Sequence, residues 1–593
     1  ALNANSRFPA TLAPGDLILI YQVQGVFING YASGTIGLPN DTTWGRVVDY
    51  YNTGKYEFAQ VRAVPNANSI TLDCGLKNNY DVNATFFYTL IVRVPRYTSL
   101  TINSGGVLTC DDWNGTSGGV LAVEVEGNAV INTGGIIDAT GKGFRGGSLV
   151  GDNLTAYGVN NVASNDASYG AEKGESVTGY QADYDLWGGR YGRGAAANGG
   201  GGGCAHNAGG GGGANAAQNI FNWKGYGIPD LTGVNYTTAW NLDNAVISTL
   251  TNANSAGGGR GGYTFSNTNA NAITAGPSNA AWGGDNRNRD ATGWGGRPLD
   301  YSSGRLFFGG GGGAGDQNNQ AGGNGGDGGG LIYLMVYGSV SGGGTVQANG
   351  NNGVNTGGGN QLPTGMDGAG GGGAGGVVVV NAVGGVANTL TCNTNGGNGG
   401  NQVIGVTNGS EAEGPGGGGG GGYIAVSSGT PIRNTNGGSN GTTNSGALTE
   451  FTPNGALKGC AGINNASITF FTVNASTISV CTGSAATLTA SLGGSPPSGT
   501  TIIWYDAAAA GNQLGTGSTF TTPTLTTTTT YYVGSCPGTY RVPVIVTVNP
   551  LPLINNDPVI TADPLYGNPA PLPPPPPFKA YDAVVAYDAV PAN

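Results

Sequence analysis

Along the glycine-rich part of the chain, short apolar runs of four to six residues each follow a long glycine-rich tract. Three such runs begin at Leu331, Val377 and Tyr423, so that successive runs start 46 residues apart. The tracts before them cover 309–330, 368–376 and 414–422. Such a unit cannot bury its own apolar face, so it is stabilised by stacking on its neighbours. The pattern therefore predicts a repetitive scaffold.

The first 147 residues have the periodicity of strands. Apolar or alternating runs at 17–21, 56–64, 70–72 and 86–94 contain no capped helical stretch, and they predict an N-terminal β-domain over 1–96. Over 97–147 the strands shorten to three to five residues with Gly or Asn at the corners. Glycine supplies the positive φ angles of tight bends, so these segments are typical of β-solenoid rungs.

Residues 148–470 form a glycine-rich body. Glycine is 118 of 593 residues, about a fifth, against a usual share of about 7%. Runs such as 309–313 are too long for turns and lack the Gly-X-Y period of collagen. We expect polyproline-II-like helices packed side by side, whose backbone groups are satisfied by neighbouring segments. Disorder is the alternative, because Gly-rich polar tracts often bury too little to fold.

Aromatic residues interrupt the glycine runs of this body. They fit two interpretations: they cover glycine faces that have no side chains of their own, or they form a sugar-stacking surface. The candidates for such a ligand surface are Trp187, Tyr191, Trp223, Trp282 and Trp294.

The segment 472–549 replaces glycine with Thr/Val-rich strands. Cys481 and Cys536 bracket Trp504, as the disulfide and core tryptophan do in immunoglobulin-like sandwiches. The pattern predicts an Ig-like β-sandwich with a Cys481–Cys536 disulfide, and a disulfide indicates an oxidising, extracellular setting. The odd number of cysteines leaves at least one thiol unpaired, and the pairing of five stays open: Cys74, Cys110, Cys204, Cys392 and Cys460.

The last segment, 550–593, reads as a Pro-rich linker and tail. It contains a run of five prolines and a duplicated Tyr-Asp-Ala-Val motif. The motif alternates enough to add an edge strand to another subunit, which would give a homopolymer, but a disordered or fragmentary end is favoured because termini usually are loose.

Charge and hydropathy exclude two classes of partner. The formal net charge of −11 argues against nucleic acid, which requires a clustered basic face. No apolar run approaches the 18 residues of a membrane helix, so we expect no membrane insertion. The start of the sequence resembles an already processed, exported protein.

Few residues have the chemistry of an active or metal site. His206 is the only histidine, and filling a gap between glycine runs explains it better than a couple with Cys204. Glu172 and Glu175 are expected at solvated loop positions. A partial nonapeptide pattern around Asp327, with a second near Asn401, makes calcium the one candidate cofactor. We expect no catalytic residues.

The C-terminal segment also resembles a known family. Residues 504–507 (WYDA), 520–523 (FTTP) and 526–533 (TTTTTYYV) are similar to the Ig-like modules of giant cell-surface proteins of Bacteroidota, which the type IX secretion system exports. The Gly-rich leading regions of such proteins resemble 15–18, 56–59, 93–97 and 141–147. The resemblance implies an extracellular adhesin or fibre component. Family members end in a secretion-sorting domain, which is not visible after Pro550.

These observations predict an all-β, non-enzymatic surface protein. It would comprise an N-terminal β-domain, a β-solenoid with a glycine-rich body, and an Ig-like module that holds the body away from the cell. Its expected partners are surfaces, glycans or other copies of itself. A carbohydrate-binding or polysaccharide-degrading β-solenoid is the alternative, and it rests on fold analogy.

Overall fold

The computed structural model describes residues 8–82, 86–150, 159–230, 240, 243, 255–265, 289–318, 320–357, 367–404, 412–449 and 451–551. Within these ranges the chain is almost entirely β, with one short helix, α1 (Ala182–Asp185). Single 3-10 turns are present at Ala167–Tyr169, Ile220–Asn222, Arg289–Ala291 and Gly446–Leu448.

Six strands form the N-terminal β-domain. They are β1 (Leu17–Gln24), β2 (Phe27–Ile28), β3 (Val47–Asp49), β4 (Tyr56–Asn66), β5 (Ser69–Leu72) and β6 (Tyr88–Val94). Four of them make an antiparallel sheet in the order β5-β4-β1-β6, and β2 pairs with β3. β1 is buried along its whole length, because Ile18 and Ile20 face a small core within the domain while Leu17, Leu19 and Tyr21 face the rest of the protein.

Fourteen strands then build three stacked parallel sheets. They are β7 (Arg96–Tyr97), β8 (Leu100–Ile102), β9 (Val107–Thr109), β10 (Val120–Val125), β11 (Ala129–Ile131), β12 (Ile136–Asp138), β13 (Leu331–Val336), β14 (Val340–Ser341), β15 (Thr345–Gln347), β16 (Val377–Ala382), β17 (Thr391–Asn393), β18 (Tyr423–Val426), β19 (Ile432–Asn434) and β20 (Ile463–Ser467). The long sheet has the order β20-β18-β16-β13-β10-β7, a second sheet β19-β17-β15-β12-β9, and a third β14-β11-β8.

The chain visits these sheets in a fixed order, and we call one such pass a coil. The predicted repeat sets the register between coils, because Leu331 pairs with Val377 and Val377 with Tyr423. Val120 pairs with Leu331 in the same column, although a long stretch of sequence separates them. The 46-residue period therefore corresponds to one coil.

The central strands β10, β13 and β16 of the long sheet are buried on both faces. Inward-facing residues such as Ile332, Leu334 and Val378 fill the interior of the coils, while Tyr333 and Val379 pack toward the N-terminal β-domain. A parallel strand covered on both faces has no polar face, so its sequence is a continuous apolar run rather than an alternation.

The glycine-rich tracts are insertions that leave the stack after one sheet and return at the next coil. They follow β12, β15, β17 and β19, and we call each extended segment within these tracts an arm. Arm 309–316 forms neither strand nor helix, yet it is buried throughout. Its eight consecutive N–H groups all donate to carbonyls of other arms, over 2.8–3.0 Å.

The bonding partners of arm 309–316 change with a period of three residues. Residues 309, 312 and 315 donate to arm 323–329, residues 310, 313 and 316 to arm 208–214, and residues 311 and 314 to arm 172–175. Its carbonyls accept from arms 144–147, 200–203 and 368–374. A helix with three residues per turn points successive N–H and C=O groups in three directions. The N–H groups reach three arms and the carbonyls three others, so six hydrogen-bonded neighbours surround the arm.

This packing requires glycine. A Cβ atom at Gly310, Gly311, Gly312 or Gly313 would lie 1.9–2.1 Å from a carbonyl oxygen of a neighbouring arm. Backbone at that distance cannot move aside as a flexible side chain can. The Cα–H groups instead face these carbonyls, in the weak contacts that extended backbones make when no side chain separates them.

Eight strands form the C-terminal module. They are β21 (Phe471–Ala475), β22 (Ile478–Cys481), β23 (Thr487–Gly494), β24 (Thr501–Tyr505), β25 (Gln513–Thr516), β26 (Thr519–Thr521), β27 (Thr529–Cys536) and β28 (Val542–Asn549). They make two sheets, β21-β23-β26 and β22-β28-β27-β24-β25, packed around the fully buried Trp504. The predictions of an all-β chain and an Ig-like C-terminal module are confirmed.

Replacing Gly312 with alanine tests the packing of the arms. Its Cβ would lie 2.1 Å from the Gly371 carbonyl oxygen, so we expect Gly312→Ala to lower the free energy of unfolding by about 3 kcal/mol. Gly75→Ala is the control, because no atom lies within 4 Å of its Cβ, and a change within about 0.5 kcal/mol is expected. Denaturant titration followed by circular dichroism measures both, and equal stability of the two variants would contradict the packing.

Candidate functional site

The Ig-like module is covalently attached to the N-terminal β-domain. A disulfide joins Cys74, just after β5, to Cys536 at the end of β27, across 462 residues of sequence. Beside it, the Arg541 guanidinium forms an ion pair with Asp73 at 2.7 Å, and both side chains are more than 90% buried. The same guanidinium lies 3.4 Å from the centre of the Tyr505 ring. We call this contact region the module junction.

The predicted Cys481–Cys536 disulfide is wrong. Both residues belong to the five-stranded sheet, in which β28 lies between β22 and β27. Cys481 is opposite Asn549 at one end of β28, whereas Cys536 lies beyond Val542 at the other end. An eight-residue strand separates them by more than about 20 Å, and a disulfide requires Cα atoms within about 7 Å. Cys481 is a free, exposed cysteine.

A buried carboxylate extends the module junction to the stacked sheets. Glu124 of β10 forms an ion pair with Arg96 and accepts a hydrogen bond from Thr539 Oγ1 at 2.7 Å. Burial raises the pKa of Glu124, although the Arg96 charge opposes this shift. The Tyr337 ring, which follows β13, lies 4.4 Å from the Tyr540 ring. The module is thus packed against the body, and its predicted role of holding the body away from the cell stays a prediction.

Glu172 and Glu175 are not the solvated loop residues that the sequence analysis expects. Both are about 99% buried. Glu175 accepts hydrogen bonds from Trp113 Nε1 at 2.8 Å and Gln24 Nε2 at 3.0 Å, and it pairs with Arg145 at 2.8 Å. These carboxylates are already engaged by the protein. Glu175 attaches arm 172–175 to the N-terminal β-domain and to the first coils, whereas Glu172 accepts hydrogen bonds from the Ser148 N–H at 2.9 Å and the Tyr180 hydroxyl at 3.2 Å.

Lys173 lies between these two carboxylates in sequence and has a different environment. Its Nζ donates to the carbonyls of Val162 at 2.7 Å and Tyr191 at 2.9 Å, and lies 4.9 Å from the Trp44 ring. Complete burial lowers the pKa of Lys173 to about 7. The amine therefore serves as an internal hydrogen-bond donor to backbone carbonyls that lie outside the sheets.

The aromatic candidates are placed where they pack against the protein. Trp187 contacts Phe27, with ring centres 5.4 Å apart. The Arg297 guanidinium lies 3.4 Å from the Trp223 ring, and Trp294 is only 6% exposed.

The two remaining aromatic candidates differ in how they are placed. Tyr191 is half-buried and forms backbone bridges to Ser164 and Glu172. Trp282 lies outside the described residues. The positions of Trp187, Trp223 and Trp294 fit the interpretation in which the aromatic residues cover other parts of the protein. A ligand role of all five candidates stays a prediction.

The two calcium candidates take part in hydrogen bonds between arms. Asp327 Oδ1 accepts the Gly146 N–H at 2.8 Å, and Asn401 Oδ1 accepts the Thr442 N–H at 2.9 Å. Within the described ranges, no group of three or more His, Cys, Asp and Glu side chains is arranged to hold a metal. A calcium site at these residues stays a prediction.

Asn401 belongs to a ladder that sequence reasoning missed. Asparagine side chains at every third position of one arm accept the N–H groups of the next arm, over 2.8–2.9 Å. The first arm uses Asn349, Asn352 and Asn355, the second Asn395, Asn398 and Asn401, and the third donates from Asn436, Ser439 and Thr442. The three-residue spacing of asparagine was the available signal, and it matches the period of the helix.

Cys204 and His206 have separate neighbours. The Cys204 Sγ lies 3.6 Å from the Tyr169 carbonyl, and burial raises the pKa of this thiol to about 12. His206 Nε2 contacts the Asn318 amide, and its ring lies 5.1 Å from the Phe265 ring. A thiol with a raised pKa carries little thiolate at neutral pH, so the arrangement does not favour a nucleophile.

Comparison with known proteins identifies the C-terminal module. Residues 469–550 match the family model described as Ig-like domain CHU_C associated. No curated protein matches the chain. The match fits an Ig-like module of the kind found in Bacteroidota proteins and, together with the disulfide, is consistent with an extracellular surface protein. Among the described residues, no helix is long and apolar enough to cross a bilayer.

Thiol mapping tests the module junction. Alkylation of the denatured, unreduced protein should modify five of the seven cysteines, and reduction should release Cys74 and Cys536 as the remaining two. Quenching at low pH prevents exchange between thiols and disulfides during unfolding. Peptide mass mapping should show a Cys74–Cys536 link, whereas a linked peptide containing Cys481 would contradict the structure.

Proposed function

We propose that this protein is a non-catalytic, extracellular adhesin or fibre component. The observation that carries the proposal is the bundle of arms, in which a hydrogen-bonded core is built from backbone rather than from side chains. Such a core offers few side chains that could catalyse a reaction, but it forms a stiff body. Stiffness is what a surface protein requires to transmit force between a cell and its target.

The module junction supports the same proposal. A disulfide and a buried Asp73–Arg541 ion pair hold the Ig-like module against the N-terminal β-domain. Separating the module therefore requires breaking a covalent bond and exposing paired charges. Removing one partner of such a buried pair costs several kcal/mol, by measurements on other proteins.

The proposal also includes the finer predictions of the sequence. The three stacked parallel sheets would be a β-solenoid, and the type IX secretion system would export the chain, as the resemblance implies. The engaged Glu172 and Glu175 carboxylates support a non-catalytic role over polysaccharide degradation, because a catalytic acid and base must reach the substrate.

Electron microscopy of the native material tests this proposal. Regular filaments with one subunit repeat would identify a fibre component, and compact particles at the ends of stalks on cells would identify an adhesin head. Immunogold labelling of intact cells provides the control for location. Label confined to the cell interior, or release of reducing ends from polysaccharides by the purified protein, would contradict the proposal.

A further inference from the structure

One aromatic side chain is displayed to solvent by a fixed local structure. Phe221 lies in the 3-10 turn Ile220–Asn222 and is 92% exposed, whereas Tyr51 and Tyr97 reach 38% and 40%. The Asn219 side chain accepts the Phe221 N–H at 3.2 Å and caps this turn. A single exposed apolar residue is ordinary on a protein surface, so the ring requires a second observation before it indicates a site.

The second observation is a cleft beside this ring. It is lined by Phe221 and Ile220 and by Tyr423 and Ile463, the first residues of β18 and β20, and we call the part lined by Tyr423 and Ile463 its floor. The cleft has a volume of about 450 Å³, within the range of roughly 300–1,000 Å³ for small-molecule sites. It therefore has room for a ligand that also contacts the ring.

The floor of the cleft is held rigidly. The rings of Tyr301 and Tyr423 are stacked, with centres 4.2 Å apart and planes within 12°. Tyr301 is fixed in turn, because its hydroxyl donates to Asn215 Oδ1 at 2.6 Å in the buried bundle of arms. A rigid aromatic floor loses little conformational entropy when a ligand binds to it.

Polar groups in the lining indicate the chemistry of the ligand. Gln218 and Asn219 contribute amides, and Ser302 and Asp300 contribute a hydroxyl and a carboxylate. The Ser302 N–H donates to Asp300 Oδ1 at 2.8 Å, which orients the carboxylate. The described lining contains no Lys, Arg or His, so it does not favour an anion. Flat apolar faces beside two amides, a hydroxyl and a carboxylate, all of which can hydrogen-bond to sugar hydroxyls, suit a neutral polyol with an apolar face.

We propose that this cleft binds a neutral saccharide, with one sugar ring against Phe221 and its hydroxyls bonded to the Gln218 and Asn219 amides and to Asp300. This inference rests on the proposed adhesive function and names the ligand class for it. The site uses none of the five aromatic residues that the sequence suggested, because those described in the structure pack elsewhere.

Binding of neutral oligosaccharides to the full-length, disulfide-intact protein tests the proposal. The probes are cellobiose, maltose, xylobiose and chitobiose, and saturation-transfer NMR and calorimetry measure binding. Phe221→Ala should weaken binding at least about tenfold without changing the unfolding midpoint, because the removed ring is exposed. Phe221→Tyr should retain binding, since it keeps the flat face.

Leu186→Ala is the matched control, because Leu186 is apolar and 48% exposed outside the cleft. It should leave saccharide binding unchanged. Equal affinity of Phe221→Ala and wild type, or no binding of any probe by the wild type, would overturn the saccharide site.

Surface attachment separates this inference from the proposed function. Beads coated with wild-type protein that attach to cells or surfaces, with attachment unaffected by Phe221→Ala and by the four sugars, would support adhesion and overturn the saccharide site. If the protein bound sugar but its beads attached to nothing, the saccharide site would be supported and the adhesive function contradicted.

Discussion

The scarcity of side chains along the arms is the constraint on which the rest of the structure depends. Arm 309–316 contacts six other arms, and each contact brings two backbones too close for a Cβ atom. Fixing so much glycine costs more conformational entropy than fixing any other residue. The cost is offset only when every N–H and C=O finds a partner in the same bundle, so the arms order together or not at all.

The stacked sheets and the bundle stabilise each other. The strands of successive coils pair in register, from Val120 through Leu331 and Val377 to Tyr423. This register places the arms of successive coils next to one another. The bundle in turn fixes where each coil begins. Asparagine ladders connect the outer arms with the same period, and the N-terminal β-domain covers the apolar outer face of the long sheet. The Ig-like module is attached to the N-terminal β-domain and to the stacked sheets through the module junction.

The sequence predicted those features that repeat. The spacing of the runs at 331, 377 and 423 predicted repeated units that stack, and the structure pairs these runs in register in the long sheet. The disulfide was predicted wrongly, because the partner of Cys536 comes from another domain and no local spacing indicates Cys74. The burial of Glu172 and Glu175 was not predicted either, because no local spacing indicates which other parts of the chain cover them. The sequence did not single out Phe221, because the exposure of its ring depends on how the 3-10 turn packs against the body.

The most direct measurement of the central claim is native-state hydrogen exchange of arm 309–316, followed by mass spectrometry. A segment without strand or helix normally exchanges fast, since its amides bond to water. If the arms form one cooperative core, these amides should exchange as slowly as those of β13 and β16, because opening one arm breaks bonds to six others. Exchange within seconds, while the long sheet stays protected, would contradict the account.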